Sequence, residues 1–223
     1  MAINSEQIKK DIIDQLYWDR AVDASHIMVD VSDGRVTLKG SVPSLSARRT
    51  AYTDAVMIPG VVSVDDRELR VELPPALPAA IDDELKMRVE KVLSWNADID
   101  ATEITVSVNA GYVTLSGHVD AYWKKIQAEE LVSDMLGVRE VENALSVVPT
   151  ESRTDKSIAD DIMSALKRRI DVDINLVDVT VENGVVTLSG TVPNWSTLLD
   201  VERIPRYTAG VVEVINDLAA TIP

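Results

Sequence analysis

Residues 111–119 read GYVTLSGHV, and the same phrase occurs twice more, as GRVTLKGSV at 34–42 and as GVVTLSGTV at 184–192. The first glycines of the three phrases lie 77 and 73 residues apart. A further glycine stands 20 residues after the second glycine of each phrase, and a valine follows it every time. The chain is therefore predicted to contain three copies of an internal repeat of roughly 70 residues.

The paired glycines of each phrase raise the question of a phosphate-binding loop. Such a loop needs Lys followed by Ser or Thr after its last glycine, at the start of a helix. Here the residues between the two glycines alternate as in a strand, and no Lys follows. We therefore interpret the recurring glycines as structural turn residues. They are Gly34, Gly40, Gly60, Gly111, Gly117, Gly137, Gly184, Gly190 and Gly210.

The elements of one copy follow from the spacing of its apolar residues. Ile8, Ile12 and Leu16 recur at the i, i+4, i+8 spacing of one helix face. Apolar residues alternate on both sides of Asp33 and Gly34, a dipeptide typical of hairpin turns because the turn requires positive φ. A second helix and a valine-rich strand complete the copy. The crossover between the last two strands makes them parallel.

The chain is therefore predicted to be an α+β protein made of three tandem αββαβ domains, at 1–74, 75–150 and 151–223. Each domain is expected to form a three-stranded mixed sheet with two helices on one face. The proline-rich segment 73–83 is expected to be a semi-stiff linker between the first two domains.

Three local expectations concern the second helix and the strand after it. Ser44, Asp120 and Asn194 are expected to cap the N-termini of the second helices, and the last glycine of each copy to cap their C-termini. Pro205 removes a backbone hydrogen bond, so the second helix of the third copy is expected to end early or to kink. One extra residue near Asp65 predicts a β-bulge in the first copy.

Composition excludes several classes of function. The net charge is −15, from 22 basic and 37 acidic residues, so a nucleic acid partner is not expected and charge alone disfavours an anionic membrane. The lack of cysteine excludes disulfides and thiolate sites. The N-terminus has no apolar core of a secretory signal, and no stretch approaches the ~18 apolar residues of a membrane span. We expect a cytoplasmic protein without a transmembrane segment, or a periplasmic one if an export signal has been removed.

The pattern as a whole resembles the BON domain, a family named for bacterial osmotically induced and nodulation proteins. The resemblance is carried by the apolar helix, the D-G, N-G or A-G turn, V-T-L-x-G-x-V, a helix and G-V-x-x-V, in three copies. Trp18 and Trp95 at the end of the first helix fit the family pattern, and Arg168 does not. The resemblance implies a non-enzymatic bacterial module linked to envelope stress and phospholipid binding. One cytoplasmic type of member binds potassium.

No nucleophile–base pair or metal-ligand constellation is visible, so we expect no catalytic residue, no metal site, no cofactor and no enzyme activity. The histidines, His26 and His118, occupy non-equivalent positions and are expected at the surface. Asp98, Asp100 and Glu103 cluster in one loop. Together with the acidic balance, they leave open an alternative function, the cytoplasmic binding or sensing of potassium or calcium.

The tryptophans are the main candidates for contact with a partner. Trp18 and Trp95 end the first helices, whereas Trp123 and Trp195 lie near the start of the second. Two interpretations stay open: they fill the core or the interfaces between copies, or they form an amphipathic rim that contacts lipid or protein. The candidate binding residues are Trp18, Trp95, Trp123, Trp195, Arg48, Arg49, Lys124 and Lys125.

The predicted function is that of a non-enzymatic bacterial binding or scaffolding protein, related to osmotic or envelope stress. Its expected partner is a phospholipid or another protein.

Overall fold

The computed structural model describes residues 5–72, 82–169, 173 and 175–221. Most of the proposed linker at 73–83 lies outside these residues. The first copy contains α1 (Ser5–Trp18), β1 (Ile27–Ser32), β2 (Arg35–Val42), α2 (Leu45–Val56) and β3 (Ser63–Val71). The second copy contains α3 (Asp82–Trp95), β4 (Ile104–Asn109), β5 (Tyr112–Val119), α4 (Tyr122–Ser133) and β6 (Glu140–Val147). The third copy contains α5 (Asp155–Leu166), β7 (Val177–Glu182), β8 (Val185–Val192), α6 (Trp195–Arg206) and β9 (Glu213–Ala220).

Each copy forms a three-stranded sheet with the VTLxGxV strand in the centre. In the first copy β1 pairs antiparallel with β2, and β3 pairs parallel with β2; the other copies repeat this pattern. The predicted α+β class, the element order and the mixed sheets are confirmed. In the first copy the register shifts between Thr37 and Lys39, whose partners are Asp65 and Glu68. The predicted β-bulge is therefore confirmed.

The core of each copy is aliphatic and is built from the first helix and the central strand. Ile8, Ile12 and Leu16 are at most 2% exposed, which confirms the helix face predicted from their spacing. They pack with Val36 and Leu38 of β2 into one cluster. The second and third copies hold equivalent clusters of their own. Every copy therefore carries its own hydrophobic core.

The glycines of the repeated phrase are set by backbone geometry. The hairpin turn holds Asp33 at φ 49° and Gly34 at φ 74°, and the other two turns are alike. Gly40 has φ 110°, and a Cβ there would lie 1.9 Å from the carbonyl oxygen of His26. Gly117 and Gly190 approach the preceding strand equally closely. A side chain at these positions would clash with backbone, which explains the spacing of the phrase.

The predicted N-caps of the second helices are confirmed in two of the three copies, whereas the predicted C-caps are not. The side chains of Ser44 and Asn194 accept hydrogen bonds from the N–H groups three residues on, at 3.1 and 2.9 Å. Asp120 is not a cap, because it stands one residue too early; Ala121 takes that place and Asp120 pairs with Lys124 instead. The helices end four residues before the last glycine of each copy. The expected glycine C-caps are therefore wrong.

Of the two outcomes expected for the second helix of the third copy, an early end or a kink, the early end is wrong. α6 has 12 residues, as do α2 and α4. Pro205 is the next-to-last residue of α6, so it affects only the last turn. The helix interior, where proline is most costly, is untouched.

Side chains on or next to the second helices approach one another at three places between copies, which we call seams. At the first seam, between copies one and two, Arg49 pairs with Glu130 at 3.7 Å. At the second seam, between copies two and three, Trp123 stacks on Tyr207 with ring centres 6.3 Å apart. At the third seam, between copies three and one, the phenol of Tyr52 on α2 lies near Glu202 on α6.

The same position of each copy reaches into the next copy. It is the first residue of the second helix: Leu45, Tyr122 or Trp195. Leu45 packs against the core of the second copy, and Tyr122 against that of the third. The indole Nε1 of Trp195 donates to the carbonyl oxygen of Val61 in the first copy, at 3.0 Å. One head-to-tail contact made three times closes a ring, so the copies are related by an approximate threefold axis.

Candidate functional site

The tryptophans at the ends of the first helices are strongly exposed. Trp18 is 78% exposed and Trp95 is 73% exposed, and Tyr17 beside Trp18 is 75% exposed. Tyr17 and Trp18 meet edge to face, with ring centres 5.8 Å apart. The ammonium group of Lys91 lies 4.6 Å from the ring centre of Trp95. Such large apolar rings with polar edges suit a boundary between water and an apolar phase.

The approximate threefold axis groups these positions. Trp18, Trp95 and Arg168 are equivalent residues of the three copies. The approximate symmetry places them at equivalent points of the three copies. We call Tyr17, Trp18, Trp95 and Arg168 the helix-end rim. It combines three aromatic side chains with one guanidinium group.

The other two tryptophans lie at the seams and not on this rim. Trp123 and Trp195 are half-buried. Trp123 stacks on Tyr207 across the second seam, and Trp195 bonds to Val61 across the third. The four tryptophans thus divide into an exposed pair and a pair between copies.

The arginines among the candidate binding residues are engaged in ion pairs. The Nε of Arg48 donates to Asp66 Oδ2 at 2.8 Å within the first copy. Arg49 faces Glu130 across the first seam. Both therefore serve contacts within the chain, and neither belongs to the helix-end rim.

The candidate lysines lie at the start of α4. Lys124 pairs with Asp120 at 2.8 Å, and its Nζ lies 5.6 Å from the ring centre of Trp123. Lys125 is half-buried, and its backbone carbonyl accepts a hydrogen bond from the Asn143 side chain at 2.8 Å. The lysines are thus placed beside the second seam.

The histidines and the acidic loop make local contacts. Nε2 of His118 lies 3.6 Å from Glu103, and His26 contacts the neighbouring Ser25. Asp100 accepts hydrogen bonds from the hydroxyl and N–H of Thr102, and these bonds lower the pKa of Asp100. Within the described ranges, no three His, Cys, Asp or Glu side chains are grouped so that they could hold a metal ion. No helix there has the length and apolar character to cross a bilayer.

One unusual residue was missed by sequence reasoning. Asp54 is half-buried on α2, where the other copies carry Leu131 and Ile204. Burial raises the pKa of its carboxyl group, a hydrogen bond from Gln15 at 3.2 Å opposes the rise, and the nearby Asp19 adds to it. The signal was available, because an aspartate stood where both sibling copies have an aliphatic residue.

Two seams contain cavities. One cavity at the second seam has a volume of about 330 Å³, and its walls include Asp120, Lys124 and Glu151. Another at the same seam, of about 420 Å³, lies between α4 and α6. The one at the third seam has a volume of about 270 Å³ and is lined mainly by apolar groups, Met57, Pro59 and Trp195 among them. A separate open groove of about 740 Å³ runs between the end of α5 and α6, where three arginines line it.

Comparisons with known proteins agree with the repeat. The family model described as "BON domain" matches residues 4–72, 81–149 and 154–221. Osmotically-inducible protein Y of Escherichia coli K12 is 30% identical over 143 residues, which cover 61% of this chain and 71% of that protein. An uncharacterized protein in the gshII 5′ region of Anaplasma centrale is 31% identical over 120 residues, which cover 52% of this chain and 80% of that protein.

Among solved structures, a likeness exists to CdsD, a structural protein of the type III secretion system of Chlamydia trachomatis. The sequence identity is 16% and the TM-score is 0.27, over 95% of this chain and 91% of that one. A score this low establishes no common arrangement of the two chains.

Proposed function

Because this chain belongs to the BON domain family, in three copies, we propose that it is a non-enzymatic, stress-related protein that binds a phospholipid surface through the helix-end rim. The stress role is supported by its relative, Osmotically-inducible protein Y, whose name states that it is induced by osmotic conditions. The non-enzymatic role is supported by family membership.

One observation carries the lipid proposal: two tryptophans at equivalent positions of two copies are each more than 70% exposed. Half-burial of a tryptophan in an interface removes apolar surface from water while its N–H stays near the polar headgroups. Two tryptophans on one rim can insert together, so their contributions add through a single binding event. A protein partner would use the same exposed rings, and the experiment below separates the two.

The net charge of the protein determines which lipid surface it can approach. With a net charge of −15, the chain is repelled by anionic lipid at low salt, and Arg168 on the rim and Lys91 beside Trp95 offset little of this. We therefore propose a zwitterionic surface, bound through apolar contact. At 0.1 M salt, the repulsion between charges more than about 10 Å apart is largely screened. Binding to anionic vesicles is therefore expected to increase with salt concentration.

Vesicle flotation tests this proposal. The wild-type chain is expected to float with phosphatidylethanolamine–phosphatidylcholine vesicles at low salt, and the double variant W18A/W95A to float at least fivefold less. Met87→Ala is the matched control, because Met87 is 62% exposed on α3 but lies two turns from the rim. The emission of Trp18 and Trp95 should shift to the blue when vesicles are added.

The result that would overturn the proposal is equally specific. Absence of wild-type flotation with both zwitterionic and anionic vesicles, at low and high salt, removes the lipid surface as the partner. Flotation of W18A/W95A at the wild-type level removes the rim as the contact site.

A further inference from the structure

The cavity at the third seam differs in chemistry from the rest of this acidic molecule. It lies between the end of α2 in the first copy and the start of α6 in the third. None of the residues that line it carries a charge, and they include Met57, Val61, Trp195 and Ser196. By contrast, three charged residues line the corresponding cavity at the second seam.

The second seam shows what the third one lacks. Trp123 and Tyr207 are stacked there, with their rings 18° from parallel. The equivalent residues at the third seam are Ser196, in place of Trp123, and Met57, in place of Tyr207. Both line the cavity. At the third seam, therefore, no aromatic side chain stacks on Met57, the residue that follows α2. Met57 remains 48% exposed.

The walls of this cavity are suited to an aromatic ring. The Nε1 of Trp195 donates to the Val61 carbonyl, and this bond fixes the orientation of the indole that forms one wall. The thioether of Met57 can contact an aromatic ring favourably, with sulfur near the ring. A planar molecule between Met57 and Trp195 would contact both, as Trp123 contacts Tyr207 in the sibling seam.

The volume of the cavity limits the size of the molecule that it can bind. An apolar cavity of about 150 Å³ takes up benzene, so about 270 Å³ accommodates two fused rings. A charged group would enter a space without a charged partner and would lose hydration without compensation. Uncharged molecules are therefore favoured.

We propose that the third seam is a binding site for a small, uncharged, planar aromatic compound with two fused rings, which covers Met57 and packs against Trp195. The site is separate from the helix-end rim, so it stands whether or not the chain binds lipid. Residues of copies one and three form the walls of the cavity. A bound compound therefore contacts both copies and favours the closed ring of copies.

The test uses 5-fluoroindole with the full chain and fluorine NMR. The wild type should shift and broaden the fluorine signal in a saturable manner. Ser196→Trp restores the missing ring, so it should weaken binding at least tenfold. Ser46→Trp makes the same change at the equivalent position of the first copy and should bind like the wild type; Asp134 stands at the repeat position of Met57 in the second copy. Ser196 is exposed and Ser46 is half-buried, so thermal melting of both variants verifies that they fold.

Two outcomes would overturn the inference. One is the absence of a saturable effect in the wild type up to the solubility limit of 5-fluoroindole. The other is equal affinity in the wild type and a folded Ser196→Trp variant, which places the compound elsewhere. Loss of binding in both tryptophan variants would also count against it, because the effect would then not be specific to the third seam.

Discussion

At the residue scale, the departures of one copy from its siblings are the most informative features. Asp54 shows this, because two sibling copies place an aliphatic residue at the same point of the fold. The backbone is thus compatible with a leucine there. The first copy instead carries a carboxyl group whose pKa is raised by burial. A buried carboxylate lowers the stability of the native state when it is ionised.

Replacement of Asp54 by leucine is expected to stabilise the chain, most strongly at neutral pH. The folded pKa is raised, so wild-type stability is greatest below the unfolded value of 3.8 and declines as pH rises through the folded pKa. Because Asp54 is only half-buried, solvent screens part of the penalty, and the gain at pH 7 should be about 1 kcal/mol or less, or ~2–4 °C in Tm.

The measurement compares melting temperatures at pH 7 and pH 4. The Tm difference between Asp54→Leu and wild type should be largest at pH 7 and should narrow towards pH 4. Asp14→Leu, at an exposed position of α1, controls for the removal of one charge. A difference that is constant with pH would contradict the assigned cause.

At the element scale, the first helix holds the hairpin turn in two of the three copies. Asp155 at the start of α5 accepts hydrogen bonds from the N–H groups of Asn183 and Gly184, both at 2.9 Å. Asp82 at the start of α3 does the same for the turn of the second copy. A carboxylate at the first position of a helix also interacts favourably with the helix dipole. The turn and helix are thereby fixed to each other.

Removal of this carboxylate should destabilise the copy that contains it. Asp82→Ala loses two charge-assisted hydrogen bonds to a turn, and we expect a cost of about 1–2 kcal/mol. Asp83→Ala is the control, since Asp83 is an exposed neighbour in the same first turn. Urea denaturation should show a lower midpoint for Asp82→Ala than for Asp83→Ala. Equal midpoints would assign the effect to the dipole alone.

The elements themselves could be predicted from the sequence because their signals are local. The Asp33-Gly34 turn, the alternation of the strands and the spacing of Ile8 and Ile12 each depend on neighbouring residues. The predictions that failed concern helix ends, such as the early end expected at Pro205. There the result depends on which turn of the helix the proline occupies, and a shift of one or two residues changes it.

At the scale of the whole molecule, the ring could not be predicted from local patterns. The resemblance to the BON domain is confirmed, but a family pattern does not specify how copies pack. One signal was present: the first residue of every second helix is a large apolar side chain, Leu45, Tyr122 or Trp195. The first turn of a helix usually favours acidic residues. The rim of Trp18 and Trp95 likewise depends on the ring, while the lipid contact stays a prediction.

The third seam is closed without a direct chain connection between its two copies, so it is the place where the ring should open. Trp195→Ala removes the hydrogen bond to Val61 and a half-buried indole, and we expect the third copy to separate from the first. Small-angle X-ray scattering should show a larger radius of gyration, while circular dichroism stays unchanged because each copy keeps its own core. Trp95→Ala, which removes an exposed indole, should leave the scattering profile unchanged. An unaltered profile in Trp195→Ala would mean that other contacts close the ring.

The three seams differ in chemistry although they share one geometry. The first has an ion pair, the second a stacked aromatic pair beside a cavity with charged walls, and the third an apolar cavity. A trimer of separate identical subunits would repeat a single interface three times. A cavity in that interface would therefore weaken all three contacts at once. Covalent fusion of the three subunits into one polypeptide removes this constraint. The first two seams can then hold the three copies together, while the third seam can evolve to bind a ligand.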